Sequence, residues 1–331
     1  MADLRKDPIV NRWVIVDPTR PERQEIFRPQ EPQYTQVLPC PFCPGNEGQE
    51  PEIYAVRPPG SAPNTPGWLV RIVPDRHPML RIEGDLDRRA EGMFDLMSAL
   101  GAHELVVETP EHDLMWPETP PEHLERVLEA YQVRCLDLRK DPRFRQIVVL
   151  KNHGYGVSAF QHPHSHIVAL PVVPKGIDEE LWGASAHYSV KERCVFCDII
   201  RDEIRLGRRL VLETRLFVSY APFAPRFPFE LWILPKRHEP DFGGIGMEER
   251  QDLAQVLKTV LSRLGAIIPN LSSSLILHTS PLHEFGRDEY HWHIEVLPKL
   301  ARVAGFEWAT GFFINPVPPE EAAARLRGDP E

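Results

Sequence analysis

Apolar and polar positions along this chain alternate in short runs, and helical spacing takes over in two places. Trp68 to Val73, Gln146 to Leu150, Arg215 to Tyr220 and Ser274 to His278 read as strands, because they are brief, rich in β-branched residues and bounded by Pro, Gly or Asn. Leu124, Val127, Leu128 and Tyr131 recur at helical spacing, as do Leu253, Val256, Leu257, Val260, Leu261 and Leu264, which predicts helices over 121–138 and 247–264.

These features occur in the same order twice. The first half passes from Cys40-Pro-Phe-Cys43 through an apolar run, a strand leading to His112, a helix and a further strand to His162-Pro-His-Ser-His166. The second half passes from Cys194-Val-Phe-Cys197 through the same sequence of elements to His238 and then His291-Trp-His-Ile-Glu295. The expected fold class is therefore α+β, a duplication of a unit with mostly antiparallel strands and one principal helix. The halves divide as 1–175 and 176–331, with 175–193 as the connection. Residues 305–315 read as an extra strand and loop before a short C-terminal helix.

The 331 residues suffice for one large core or two ordinary ones. A formal charge of -10, with Lys and Arg scattered, offers no basic footprint for nucleic acid. A few cations in one cleft can still hold a small anionic ligand. No apolar stretch approaches the roughly 18 residues of a membrane span, and the first residues lack an apolar signal core, so a cytoplasmic location is expected.

Four of the five cysteines form two C-x-x-C pairs. Disulfides and a redox dithiol are the plain alternatives for such pairs. Their recurrence, each followed by a lone His and then by a His on a strand that ends in Leu-Pro, points to tetrahedral Zn²⁺ instead. The two sets are Cys40, Cys43, His112 and His162, and Cys194, Cys197, His238 and His291. Neither set leaves an open position, so both zinc ions are expected to be structural. Cys135 falls in an apolar-periodic segment and reads as core.

In His162-Pro-His164-Ser-His166 the alternate residues of a strand point to one face, which would line up three imidazoles roughly 6.6 to 7 Å apart. A polar surface strand or a three-His metal site would account for the same spacing. The apolar run from Ile167 to Pro171 argues against the first, and the duplicated zinc assignment argues against the second. A neutral imidazole with one nitrogen engaged is a competent nucleophile toward phosphorus. The preceding Lys151-Asn152-His-Gly154-Tyr-Gly-Val-Ser158 offers a cation, an amide, relaxed backbone and a hydroxyl with which to cradle phosphate oxygens.

The His162-Pro-His164-Ser-His166-Ile-Val segment resembles the histidine-triad pattern. The paired Cys motifs, Glu108-Thr-Pro-Glu-His112, Leu234-Pro-Lys-Arg-His238 and Tyr290-His-Trp-His-Ile-Glu295 resemble galactose-1-phosphate uridylyltransferases and the related ADP-glucose phosphorylases. The opening 7–23 and the closing 305–316 look like that family too. The resemblance implies two histidine-triad-like halves sharing one extended sheet, a homodimer and double-displacement kinetics. It implies that His164 becomes nucleotidylated and that the backbone carbonyl of His162 orients it. It brings Arg20 and Arg23 to the sugar nucleotide across a dimer interface, and it puts Asp75 at the ribose, where the family usually has Asn.

The usual Gln two residues after the nucleophile is here His166. An amide donates to a phosphate oxygen without offering a proton, whereas an imidazolium can assist a leaving group or a water, so hydrolysis and phosphorolysis stay open beside transfer. In the second half, His293 is the twin of His164 but Glu295 replaces the third His. That half is expected to hold zinc and to be catalytically silent, with Arg287 a candidate contact at the sugar-phosphate end. The leading expectation is a UDP-glucose:hexose-1-phosphate uridylyltransferase of galactose metabolism. An ADP-sugar or dinucleoside-polyphosphate phosphorylase or hydrolase is the alternative, and a non-catalytic zinc module that binds nucleotides or a protein is the reading from another class.

Overall fold

The two periods of the sequence separate into a sheet and the helices that cover it. The computed structural model describes residues 1–26, 39–154, 160–268, 270–283, 288–301 and 303–329. In chain order the elements are β1 (Asp3–Lys6), β2 (Trp13–Val16), α1 (Arg23–Ile26), β3 (Tyr54–Val56), β4 (Val70–Pro74), β5 (Arg89–Glu91), β6 (Phe94–Leu96), β7 (Ala102–Val107), α2 (Pro121–Leu138), β8 (Gln146–His153) and β9 (His164–Leu170). There follow α3 (Lys175–Lys191), α4 (Val195–Leu206), β10 (Leu210–Glu213), β11 (Phe217–Tyr220), β12 (Leu231–Pro235), α5 (Met247–Ile267), β13 (Ser273–His278), β14 (His293–Pro298), α6 (Gly305–Thr310), β15 (Phe313–Asn315) and α7 (Pro319–Arg327).

Ten strands form one antiparallel sheet in the order β10-β11-β12-β14-β13-β8-β9-β7-β4-β3. Read outward from its middle, the order β8-β9-β7-β4-β3 on one side is mirrored by β13-β14-β12-β11-β10 on the other. The seam is the pairing of β13 with β8, from Ser273 opposite His153 to Leu277 opposite Val149. Because side chains alternate across a strand, Ile147 and Val149 of β8 and Ile167 and Ala169 of β9 point to one face. There they join a single core with Leu124, Val127 and Leu128 of α2 and Leu253, Val256 and Leu257 of α5. That core runs under both sets of five strands. His164 and His166 take the other face.

Two differences from the sequence reading have local causes. The connecting segment is itself helical as α3, with Ile177, Leu181 and Ala184 buried against Val195 and Phe196 of α4. Residues 305–310 form a short helix rather than a strand: the Glu307 carboxylate accepts from the Ala304 N–H at 2.9 Å, and Gly311, at φ 70°, ends the turn. Only β15 is extended there, running parallel to β2 and tying the end of the chain to its beginning. Among the described residues no helix is long and apolar enough to cross a membrane.

Candidate active site and metal centres

The predicted row of three imidazoles divides between two tasks. β9 begins at His164, so His162 precedes the strand and its ring turns toward the C-x-x-C loop. Its Nδ1 lies 3.7 Å from Sγ of both Cys40 and Cys43, and His112 Nδ1 lies 3.3 Å from Cys43 Sγ. All five cysteines are free thiols. Zinc with bonds of about 2.0 to 2.3 Å in a tetrahedron would separate sulfur from nitrogen by about 3.6 Å, and the observed spacings fit that value. His162 Nε2 donates to the Thr109 carbonyl at 2.8 Å, which leaves Nδ1 as the lone-pair nitrogen.

The second set repeats this. Cys197 Sγ is 3.4 Å from His238 Nδ1 and 3.6 Å from His291 Nδ1, and His291 Nε2 donates to the Pro235 carbonyl at 3.0 Å. In each set the four ligand atoms lie within 4.8 Å of one another. Either set could hold a metal ion, and every residue assigned to the two sets from sequence is brought together.

His164 is 2 % exposed, and its Nδ1–H donates to the His162 carbonyl at 2.8 Å. Burial pushes this imidazole down to about 4, so the ring is neutral near pH 7 and Nε2 carries its free electron pair. Phe42 and Phe160 wall the ring at centroid distances of 6.0 and 5.7 Å. A cavity of about 450 Å³ opens beside it, bounded by Phe42, Asp75, Leu105, Phe160, His164 and His166. His166 lies with its ring centroid 5.2 Å from that of His164.

The remaining predicted residues separate. Asp75 lines the cavity, accepts from the His77 N–H at 2.7 Å and approaches His103 Nε2 at 3.4 Å. Asn152 accepts from the Ser274 hydroxyl at 2.8 Å, across the seam between the two strand sets. Gly154 has φ +90°, and an added Cβ would stand 2.6 Å from Ser272 Cα, so no side chain fits there. Ser158 and Arg287 lie outside the described residues.

Lys151 has partners of its own. Its alternation in β8 turns it to the helix face, where Nζ donates to Glu108 Oε2 at 2.6 Å and to the His164 carbonyl at 3.3 Å. In this arrangement its charge neutralises the Glu108 carboxylate beneath the sheet. Arg20 pairs with Glu22 at 2.8 Å, and Arg23 pairs with Glu321 and donates to the Pro316 carbonyl at 3.0 Å. Within one chain both arginines therefore engage groups outside the cavity.

Sequence reasoning passed over Glu108, His103, Glu180 and His278. Glu108 is 1 % exposed and also accepts from Trp116 Nε1 at 2.7 Å, while Tyr131, 3.4 Å away, donates to Ser165 Oγ at 2.6 Å. The available signal was a charge of each sign next to an apolar strand, Glu108 after β7 and Lys151 within β8. His103 lies on β7 with Nε2 3.0 Å from His166 Nδ1.

In the second half His293 copies the backbone hydrogen bond of His164, to the His291 carbonyl at 3.0 Å. Its ring is wholly buried, stacked between His278 and Trp232 with centroids 4.6 and 5.0 Å away. His278 pairs with Glu180 at 3.2 Å and Glu295 at 3.3 Å, and Arg226 donates to Glu295 at 2.6 Å.

Residues 1–174 match the family model described as the N-terminal domain of galactose-1-phosphate uridyl transferase. The chain is 34% identical to an ADP-glucose phosphorylase of Arabidopsis thaliana, over 98% of this chain and 92% of that one. It is 31% identical to a galactose-1-phosphate uridylyltransferase of Thermotoga maritima, over 99% and 98%. The crystal structure of an Arabidopsis thaliana ADP-glucose phosphorylase with bound ADP-glucose superposes with a TM-score of 0.83 at 32% identity, covering 100% of both chains. With half its length matched by the family model and both relatives aligned nearly end to end, this chain belongs to the galactose-1-phosphate uridylyltransferase family.

Proposed function

We propose that this chain is a nucleotidyltransferase that carries a nucleotidyl group from a sugar nucleotide to an acceptor on His164. One observation carries the reading: the Nδ1–H of His164 is committed to the His162 carbonyl, so its Nε2 electron pair faces chemistry beside an open cavity. Nε2 attacks the phosphorus, the bond from phosphorus to the bridging oxygen breaks, and the sugar 1-phosphate leaves with that electron pair. The acceptor then attacks the same phosphorus, and the pair of the P–N bond returns to Nε2.

UDP-glucose as donor and a hexose 1-phosphate as acceptor, the exchange of galactose metabolism, is the leading assignment. It is supported by the family model and by the relatives that carry the uridylyltransferase name. The Arabidopsis thaliana relative, at 34% identity, supports a second assignment in which ADP-glucose donates and phosphate accepts.

In both assignments Asp75 meets the ribose hydroxyls, Asn152 and the backbone at Gly154 contact phosphate oxygens with Ser158, and His166 supplies a hydrogen bond. Zn²⁺ occupies both Cys₂His₂ sets, where it fixes loop positions and takes no part in bond making. Residues 1–175 form the catalytic half and 176–331 the silent half. The protein acts in the cytoplasm as a homodimer in which Arg20 and Arg23 reach the neighbouring copy's cavity.

The test is the intact mass after incubation with UDP-glucose or ADP-glucose and a quench in base, for the wild type and His164→Ala. A UMP adduct that needs His164 and clears on adding galactose 1-phosphate supports the leading assignment. An AMP adduct cleared by phosphate supports the second, and identical spectra from a folded His164→Ala protein would sink both.

A further inference from the structure

The imidazole of His166 has a neighbour that decides which of its nitrogens is available. His103 Nδ1 accepts the Met79 N–H at 3.3 Å, so the proton of neutral His103 resides on Nε2. Burial holds His103 below its ordinary value, in favour of that neutral form. Nε2 then donates to His166 Nδ1, 3.0 Å away. The two rings stack at 27° with centroids 5.2 Å apart, and His103 is 8 % exposed, so little room exists for another arrangement. Asp75 Oδ2, 3.4 Å from the same Nε2, steadies that N–H.

We propose that His103 is a positioning residue that caps the only electron pair of neutral His166, leaving His166 able to donate through Nε2–H but unable to accept a proton. The inference rests on the nucleotidyl-His164 reading. Its consequence falls on the covalent intermediate. Hydrolysis requires water oxygen to bond to phosphorus, the P–N electron pair to return to His164 Nε2, and a water proton to pass to a base. A candidate base is His166, whose ring centroid lies 5.2 Å from that of His164. With Nδ1 capped and Nε2 protonated it has no electron pair to offer, so the intermediate waits for its proper acceptor. His166 then acts like an amide side chain, a donor that is no base.

The charged and titratable groups around His166 are His103 and Glu108 from β7 and its end, His164 on β9, and Asp75 after β4. Arg76, His77 and Glu50 share the cavity wall. Burial, with the neighbouring His164 and His103, holds His166 down to about 4, in keeping with a ring that stays neutral.

The experiment combines His103→Leu, which removes the donor, with His103→Gln, which keeps one. The lifetime of the nucleotidyl-enzyme in water is measured from pH 5.5 to 8.5, and long-range ¹H–¹⁵N spectra of ¹⁵N-histidine-labelled protein report the tautomer of His166, assigned by its loss in His166→Gln. Wild type should show Nε2–H throughout and a lifetime insensitive to pH. In His103→Leu the intermediate should hydrolyse about tenfold faster or more across this whole range, because burial and His164 still keep His166 neutral there and its freed electron pair can take the water proton. The His103→Leu/His166→Gln double variant and His103→Gln should both return to the wild-type lifetime. An unchanged lifetime in folded His103→Leu, an Nδ1–H tautomer in the wild type, or a third metal ion lost with His103 would each overturn the proposal. If neither donor forms an adduct, the transferase reading fails, and the wild-type tautomer still decides the hydrogen bond.

Discussion

His162 and His164 are joined by one hydrogen bond that links a candidate metal set to the proposed nucleophile. The ring of His162 faces Cys40 and Cys43, while its carbonyl, 2.8 Å from His164 Nδ1, sets the tautomer of the next imidazole but one. The ring and the carbonyl belong to one residue at the start of β9. Whatever fixes the ring therefore fixes the angle at which His164 presents Nε2.

On the proposed reading, loss of a metal from the first set should slow chemistry although that metal would touch no substrate. Cys43→Ser, which touches only the metal set, should lower the metal content from two ions per chain to one. Nucleotidylation in a single turnover should slow by roughly 10–100-fold, the range typical when support behind a positioned group is lost. Mass spectrometry of the native protein counts the ions and quenched flow times the step. Full speed with the ion gone would uncouple the two centres.

The pair of Lys151 and Glu108 leads to a stability prediction where the sequence suggested a binding one. Both side chains are buried, at 8 % and 2 % exposed, so Lys151→Met strands a carboxylate beneath the sheet. Breaking a buried pair from one side costs about 3–5 kcal/mol, whereas replacing both partners is far milder. Denaturant unfolding should show that loss in Lys151→Met and recovery of most of it in Lys151→Met/Glu108→Gln. A stable Lys151→Met protein with a raised KM for the sugar nucleotide would return the lysine to the phosphate.

Much of the fold was legible because it rests on period and repetition. Helix α2 spans the residues its apolar spacing predicted, and the mirrored strand order follows from reading the two halves against each other. The metal sets were legible for the same reason: thiolates and imidazoles recur at matched places, and the fold brings both sets together. The pairing of Lys151 with Glu108 was not legible, because its neighbours in sequence, Asn152 and Gly154, sit at the loop, while the pleat turns Lys151 itself to the other face. His103 was overlooked because its partner is 63 residues away, and only the register of β7 against β9 brings them together. Helix α6 was missed because six residues are too few to display a helical period.

The second half carries a pH signature of its own. His278 is enclosed by Glu180 from α3 and by Glu295 and His293 from β14, with Tyr290 donating to Glu180 at 2.9 Å and Arg226 bonded to Glu295. Burial acts against its charge, but the two carboxylates prevail and hold it up at about 10. An imidazole raised in the folded state adds stability that is fully present below its unfolded value of about 6.5 and is lost as pH rises through about 10. Thermal unfolding of the wild type should therefore weaken between pH 7 and 10 by more than that of His278→Gln, which has no proton to lose. The gap between the two proteins should be widest near neutral pH and narrow toward pH 10. Parallel curves over that range would mean that His278 is neutral in the fold and that Arg226 alone balances the two carboxylates.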